Sequence, residues 1–181
     1  AFGLSRWVEI GLFPLAVLLQ VTPVVAIAPL ILIYVSDTTA ALLLCAWSVA
    51  FFPILSNTVI GLKSADSLLR DLLRLYRASP WQTFRHLLVP SALPYFMAGL
   101  KIAGGLSLIG AVVAEFTAGT AGRETGLASR ILESSFRTEI PMMFAALLLV
   151  SLLGIVIFAV FATLSRLMLG HWHESEMRHE R

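Results

Sequence analysis

Charge in this chain is confined to short segments, and the apolar runs between them are longer than a soluble core needs. Of its 181 residues, 58% are hydrophobic and 13% are charged. A soluble domain of this size carries about 25% charged residues. In lipid a chain must satisfy its backbone polar groups internally, which helices do. The sequence therefore reads as all-α, a polytopic integral membrane protein. The net charge of +2 is small and the basic residues flank the apolar runs, so nucleic acid is not an expected partner. Cys45 is the single cysteine and reads as a small buried or lipid-facing hydrophobe. No metal site or cofactor is expected.

Four spans can be drawn, at about 10–35, 39–62, 91–116 and 141–169. The first contains Pro14, Pro23 and Pro29. A straight helix of that length would run ~39 Å, more than the ~30 Å hydrocarbon core. It is expected to tilt, kink or split near residues 20–23. Basic residues orient the set. Arg6, Lys63, Arg70, Arg74, Arg77, Arg85, Arg166, Arg178 and Arg181 share one side, and Arg123, Arg130 and Arg137 lie on the other. That split predicts that the 63–90 segment and both ends lie in the cytoplasm.

The 63–90 segment is a polar island between two apolar spans. Ala65, Leu68, Leu69, Leu72, Leu73 and Tyr76 recur at helical spacing, while Asp66, Arg70, Asp71, Arg74 and Arg77 fall largely on the other face. Asp66 and Arg70 stand at i,i+4 in the favourable order. The helix is predicted to stop near Ala78. Ser79, Pro80 and Gln82 then have the pattern of a capping box that opens a second short helix to about Leu88. Pro90 and Pro94 mark the approach to the next span. Such an element either lies on the membrane surface, with its arginines over anionic lipid, or inserts into a partner protein.

From Asp71 to Pro90, and on through SALPYFMAGLKIAGGLSLIGAVVAEFTAG, the sequence resembles the binding-protein-dependent ABC transporter permeases. More narrowly, it is similar to the group importing nitrate, sulfonates, taurine and thiamine-precursor pyrimidines. That family carries a cytoplasmic loop of pattern Glu-Ala-Ala, three residues, Gly, then about nine residues to Ile-x-Leu-Pro. Here Asp71-Leu72-Leu73 stands at the first three positions, Arg77 at the glycine, and Leu87-Leu88-Val89-Pro90 at the end. Further likeness runs through Phe51-Phe52-Pro53, Asn57-Thr58, Gly61-Leu62, Leu93-Pro94, Gly99 to Ala103 and Ala114-Glu115-Phe116.

The resemblance implies a multi-pass protein of the bacterial plasma (inner) membrane: a type I ABC importer transmembrane domain over residues 1–170, with 63–90 as its coupling loop and 171–181 as a cytoplasmic tail. Arg70, Asp71, Leu72, Leu73, Arg74, Tyr76, Arg77, Ala78 and Ser79 are its expected contacts with an ATPase subunit. The other implied partners are a second permease copy, a periplasmic or extracellular substrate-binding protein, and the lipid bilayer. Family members have one or two further spans before the matched region. The chain therefore reads as the last four spans of a six-span permease.

Gln20, Asn57, Lys101, Ser107 and Glu115 are the candidate path or gate residues, because polar groups at membrane depth are costly and need protein or water around them. Gly99, Ala103, Ser107 and Ala111 form an i+4 ridge of small residues leading to Glu115. The competing role for Glu115 is a structural hydrogen bond to nearby backbone. For Thr22, Ser56, Asn57 and Thr58 the competing role is hydrogen bonding between helices. The 117–140 segment is turn-rich, with a short surface helix expected around Leu127, Ile131 and Leu132. His171, His173 and His179 read as part of a solvated tail rather than a metal site.

The chain has no Gly-x-x-x-x-Gly-Lys-Ser/Thr phosphate loop, so ATP hydrolysis is expected on another subunit and the chain is not read as an enzyme. Two other classes compete. An intramembrane enzyme needs acidic or imidazole groups clustered at depth, and Glu115 stands nearly alone. A secondary transporter using Glu115 and Lys101 has no need of the 63–90 island. A permease paralogue that no longer couples is a further alternative, since Asp-Leu-Leu and Arg77 depart from the family pattern.

Overall fold

In a computed structural model, residues 20–119 and 126–170 are described, with Pro14, Val17 and Leu18 ahead of them. Among these residues there are helices and no strands. They are α1 (Val24–Tyr34), α2 (Thr38–Lys63), α3 (Ser67–Leu75), α4 (Pro80–Ala118), α5 (Leu127–Phe136) and α6 (Ile140–Leu169). Three of them, α2, α4 and α6, are long and apolar enough to cross a membrane, at 26, 39 and 30 residues.

The first predicted span is interrupted within residues 20–23, where a split was expected. Gln20 and Val21 are helical, Thr22 bends, and α1 starts after Pro23. Thr22 closes the preceding turn twice, through its N–H and its Oγ1, both donating to the Leu18 carbonyl at 3.0 and 2.6 Å. Pro23 has no N–H to continue the ladder. With 11 residues, or ~17 Å, α1 is too short to cross the bilayer alone. Residues 10–13, 15, 16 and 19 of that predicted span lie outside the described residues. Asp37 caps α2 by accepting from the Thr39 N–H at 3.0 Å.

Contrary to expectation, no turn separates the second helix of the polar island from the span that follows. Pro80–Ala118 is one helix, and residues 84–88 pass through a π turn, with the Val89 N–H reaching the Phe84 carbonyl. The wider turn explains how Pro90 is absorbed. A proline breaks an α-helix because it lacks the i→i−4 donor and its ring crowds that carbonyl, and a local π turn changes the register just before it.

The helices α2 and α4 lie antiparallel and very close. A Cβ on Gly61 would sit 2.8 Å from the Ala92 Cα, one on Gly99 2.8 Å from the Pro53 carbonyl oxygen, and one on Gly110 3.1 Å from the Cys45 carbonyl oxygen. The buried seam on α4 runs through Ala92, Gly99, Ala103, Gly110 and Ala114. Of the predicted ridge, Gly99 and Ala103 are buried and Ser107 and Ala111 half-buried. An i+4 row drifts about 40° per step around the helix, and the buried seam stays on one face by alternating steps of seven and four residues.

Ala28 of α1 packs with Cys45 and Ala114 where the three helices meet. The Phe161 ring of α6 covers Gly104 on another side of α4. Most of α6 remains exposed and apolar, including Leu148, Ile155, Phe158 and Leu167, as expected for a helix with lipid around it.

Candidate functional site

The polar island folds into a helix with two different apolar stripes. Asp66 caps α3, accepting from the Leu68 N–H at 2.8 Å. Its carboxylate serves the helix end rather than the predicted i,i+4 pairing with Arg70. Leu68, Leu72 and Leu75 stand at i, i+4 and i+7, one stripe, and all three are exposed. Leu75 and the neighbouring Tyr76 are about four-fifths exposed, at 81% and 79%. Leu73 belongs to the adjoining stripe and turns inward. It packs with Leu62 and Phe84 against buried Ala65, Leu87 and Leu88. The structure thus separates Leu73 from the exposed Leu72, although both stand together in the predicted contact set.

Polar members of that set sit around the exposed stripe. Asp71 and Arg74 pair at 3.3 Å with both side chains exposed, an interaction of at most about 1 kcal/mol. The Arg70 Nε is buried without a hydrogen-bond partner.

Arg77 holds φ at +54°, the left-handed region. Its N–H donates to the Arg74 carbonyl at 2.9 Å, and the Ala78 N–H donates to the Leu73 carbonyl at 2.9 Å. These are the two bonds of a Schellman helix stop, whose left-handed position favours glycine. The position where the family resemblance places a glycine therefore keeps a glycine-like backbone with an arginine on it. Arg77→Gly is expected to be tolerated within about 1 kcal/mol, whereas β-branched Arg77→Val is expected to loosen the turn. Faster hydrogen exchange at the Ala78 amide in Arg77→Val, and not in Arg77→Gly, checks this.

Ser79 and Gln82 form the predicted capping box. Ser79 Oγ accepts from the Gln82 N–H at 3.2 Å, and Gln82 Oε1 accepts from the Ser79 N–H at 2.7 Å. Trp81 stacks on Phe84, with centroids 5.7 Å apart, and is itself exposed. Leu75 and Trp81 extend the exposed surface and were not among the predicted contact residues. Leu75 was legible from its i+7 relation to Leu68, whereas Trp81 joins the surface only through the turn at Arg77.

The candidate path residues are strung out along the helices. Gln20 is exposed just ahead of the Thr22–Pro23 break. The Asn57 Nδ2 donates to the Pro53 carbonyl at 2.8 Å, and the Thr58 Oγ1 donates to the Ile54 carbonyl at 2.5 Å. Both bond back to their own helix instead of bridging to a neighbour, an option open to short polar side chains four residues past a carbonyl. Ser107 does the same toward Gly104, at 2.9 Å. Lys101 is half-buried on α4, 14 residues before Glu115 and so ~21 Å from it along the axis.

Glu115 reaches furthest in the sequence. Its Oε1 accepts from the Ser129 N–H at 3.1 Å and its Oε2 from the Ala128 N–H at 3.3 Å. These are two of the free amides at the start of α5, whose cap residue, Gly126, has no side chain to offer them. Past the far end of α5, Thr138 repeats the left-handed stop, with φ of +59°. Glu133 pairs with both Arg130 and Arg137, at 3.3 and 2.7 Å. Among the described residues no group of three or more His, Cys, Asp and Glu could hold a metal, and the tail histidines lie outside them.

Residues 1–170 match the family of binding-protein-dependent transport system inner membrane components. The chain belongs to that family. It is 34% identical to the riboflavin transport system permease protein of Chloroflexus aurantiacus over 94% of this chain and 62% of that protein. It is 36% identical to the formylaminopyrimidine transport permease protein of Halalkalibacterium halodurans over 93% of this chain and 66% of that protein. The nitrate import permease protein of Synechococcus elongatus is 30% identical over 62% of this chain and 40% of its own length. The chain thus spans about two-thirds or less of the curated relatives it matches. As a member of this family it is a multi-pass membrane permease component, and its long apolar helices are the membrane-spanning ones.

Proposed function

We propose that this permease component forms part of the translocation path of an ATP-driven importer and docks a separate ATPase subunit through α3. The observation that carries the reading is the exposed Leu68–Leu72–Leu75 stripe, with Tyr76 and Trp81 beside it, on a helix inserted between two spans. A face of that kind is unstable in water and suits an apolar groove on a soluble protein. Arg74 and Arg77 at its edge favour an acidic residue beside that groove. The excess of basic residues on this side favours a cytoplasmic position for α3 and for both ends of the chain. A second permease copy completes the path, and a substrate-binding protein approaches the α5 side.

The relatives' names cover a flavin, a pyrimidine and an inorganic anion, so the proposed cargo is a small polar solute: an anion such as nitrate or a sulfonate, or a pyrimidine precursor of thiamine. A secondary-transporter reading needs the Glu115 carboxylate for ion or proton exchange, and that carboxylate already accepts two backbone amides.

Purification of the tagged permease from its own membranes tests the docking. An ATPase subunit is expected to come with the native chain and to be lost from the Leu72→Asp/Leu75→Asp variant, with the permease itself still recovered. Retention of the ATPase by that variant, or transport without ATP by the purified chain alone, would refute the reading.

A further inference from the structure

We infer that Leu73 is the positioning residue that carries movement from the docked α3 into the membrane helices. The inference rests on the docking proposed above and adds a division of labour within one helix. The outward stripe of Leu68, Leu72 and Leu75 meets the partner. Leu73 faces the other way, into the cluster of Ala65, Leu87 and Leu88 with Leu62 and Phe84. Those neighbours come from the end of α2, the link after it, and the π turn of α4. The cluster that Leu73 joins therefore draws on the roots of both spans that flank the polar island.

The backbone makes the same connection. The Leu73 carbonyl accepts the Ala78 N–H at 2.9 Å. Every amide from there back to α3 and forward to α4 is engaged: Tyr76 on Leu72, Arg77 on Arg74, and Ser79 on the Gln82 side chain. A link with no free amide has little room to bend, so a push on α3 reaches α4 instead of being absorbed in the turn. At the receiving end, Leu87 and Leu88 lie in the π turn, a local geometry that interrupts the regular α-helical ladder.

The test uses the full complex of permease and ATPase in lipid. Cys45→Ser removes the native thiol, and Phe136→Cys, at the exposed end of α5, carries an environment-sensitive fluorophore. A non-hydrolysable ATP analogue is expected to shift its emission in the otherwise native complex. Leu73→Ala is expected to keep the ATPase bound and lose the shift, and Leu73→Met, which refills the same space, to restore it. Leu72→Asp/Leu75→Asp is expected to lose ATPase and shift together.

A Leu73→Ala complex that shifts normally overturns the inference. So does loss of the ATPase from that variant, which makes Leu73 a docking residue, and so does a native complex that shows no shift. If instead the Leu72→Asp/Leu75→Asp variant keeps its ATPase, the docking reading itself has failed. Melting temperatures of Leu73→Ala and native permease within a few degrees of each other separate lost transmission from lost fold.

Discussion

Gly99→Leu is expected to unseat α2 from α4 and to unfold the membrane core, at a cost of about 3 kcal/mol or more. Even the first added carbon has no room. It would lie 2.8 Å from the Pro53 carbonyl oxygen, 3.0 Å from the Asn57 Cβ and 3.2 Å from the Ile54 Cα. Two of those atoms are backbone, so no rotamer change relieves the contact. Overpacking in a well-filled site costs about 1–3 kcal/mol when side chains can shift, and a clash with backbone lies at the top of that range or above it. In a membrane the loss is not offset elsewhere, because helix association depends on close packing and lipid is as apolar as leucine.

The matched control lies six residues on. A Cβ at Gly105 meets nothing within 4 Å, so Gly105→Leu is expected to change stability by less than about 0.5 kcal/mol. Thermal unfolding in detergent compares the two. Equal melting temperatures for the variants would show that the α2–α4 seam does not hold the membrane core together.

Removing the Glu115 carboxylate is expected to free the start of α5. Charge-assisted hydrogen bonds to backbone amides contribute about 1.5–3 kcal/mol, and losing a helix cap costs about 0.5–2 kcal/mol. Glu115→Ala should therefore cost roughly 2 kcal/mol locally, and Glu115→Gln less, since one acceptor oxygen remains. Hydrogen exchange at the Ala128 and Ser129 amides reads this directly.

Gly126 supplies an internal check, because a Cβ there would collide with Glu115 Oε1 and lie 2.8 Å from its Cδ. Gly126→Ala is expected to be harmful in the native chain and nearly harmless once Glu115→Ala has removed the carboxylate. Additive effects in that double-mutant cycle would mean the two residues do not share a contact.

Particular residues show what was legible in the sequence. The three long helices were, because 25 uncharged residues in a row, as in 141–165, leave few other solutions. The Ser79–Gln82 box was, because both its bonds join residues three positions apart. The continuity of α4 through Pro90 was not, since proline usually signals a break and the π turn that accommodates it has no sequence mark of its own. The partner of Glu115 was not, because Ser129 lies 14 positions away and depends on where α5 packs. Leu72 and Leu73 look alike in sequence, since only a rotation of about 100° between neighbours separates the exposed face from the core. Arg77 concealed its left-handed backbone because only glycine announces that geometry in sequence.

The unbroken length of α4 also sets a mechanical scale. At 39 residues it measures ~58 Å, nearly twice the hydrocarbon thickness, and Phe84, Leu87 and Leu88 near its start share a cluster with Leu73 of α3. A tilt of about 5° pivoting at Pro80 would carry Ala118 about 5 Å sideways, and Glu115 would bring the start of α5 with it. Under the same tilt a displacement of about 1 Å near Leu88 becomes roughly five times larger at Ala118.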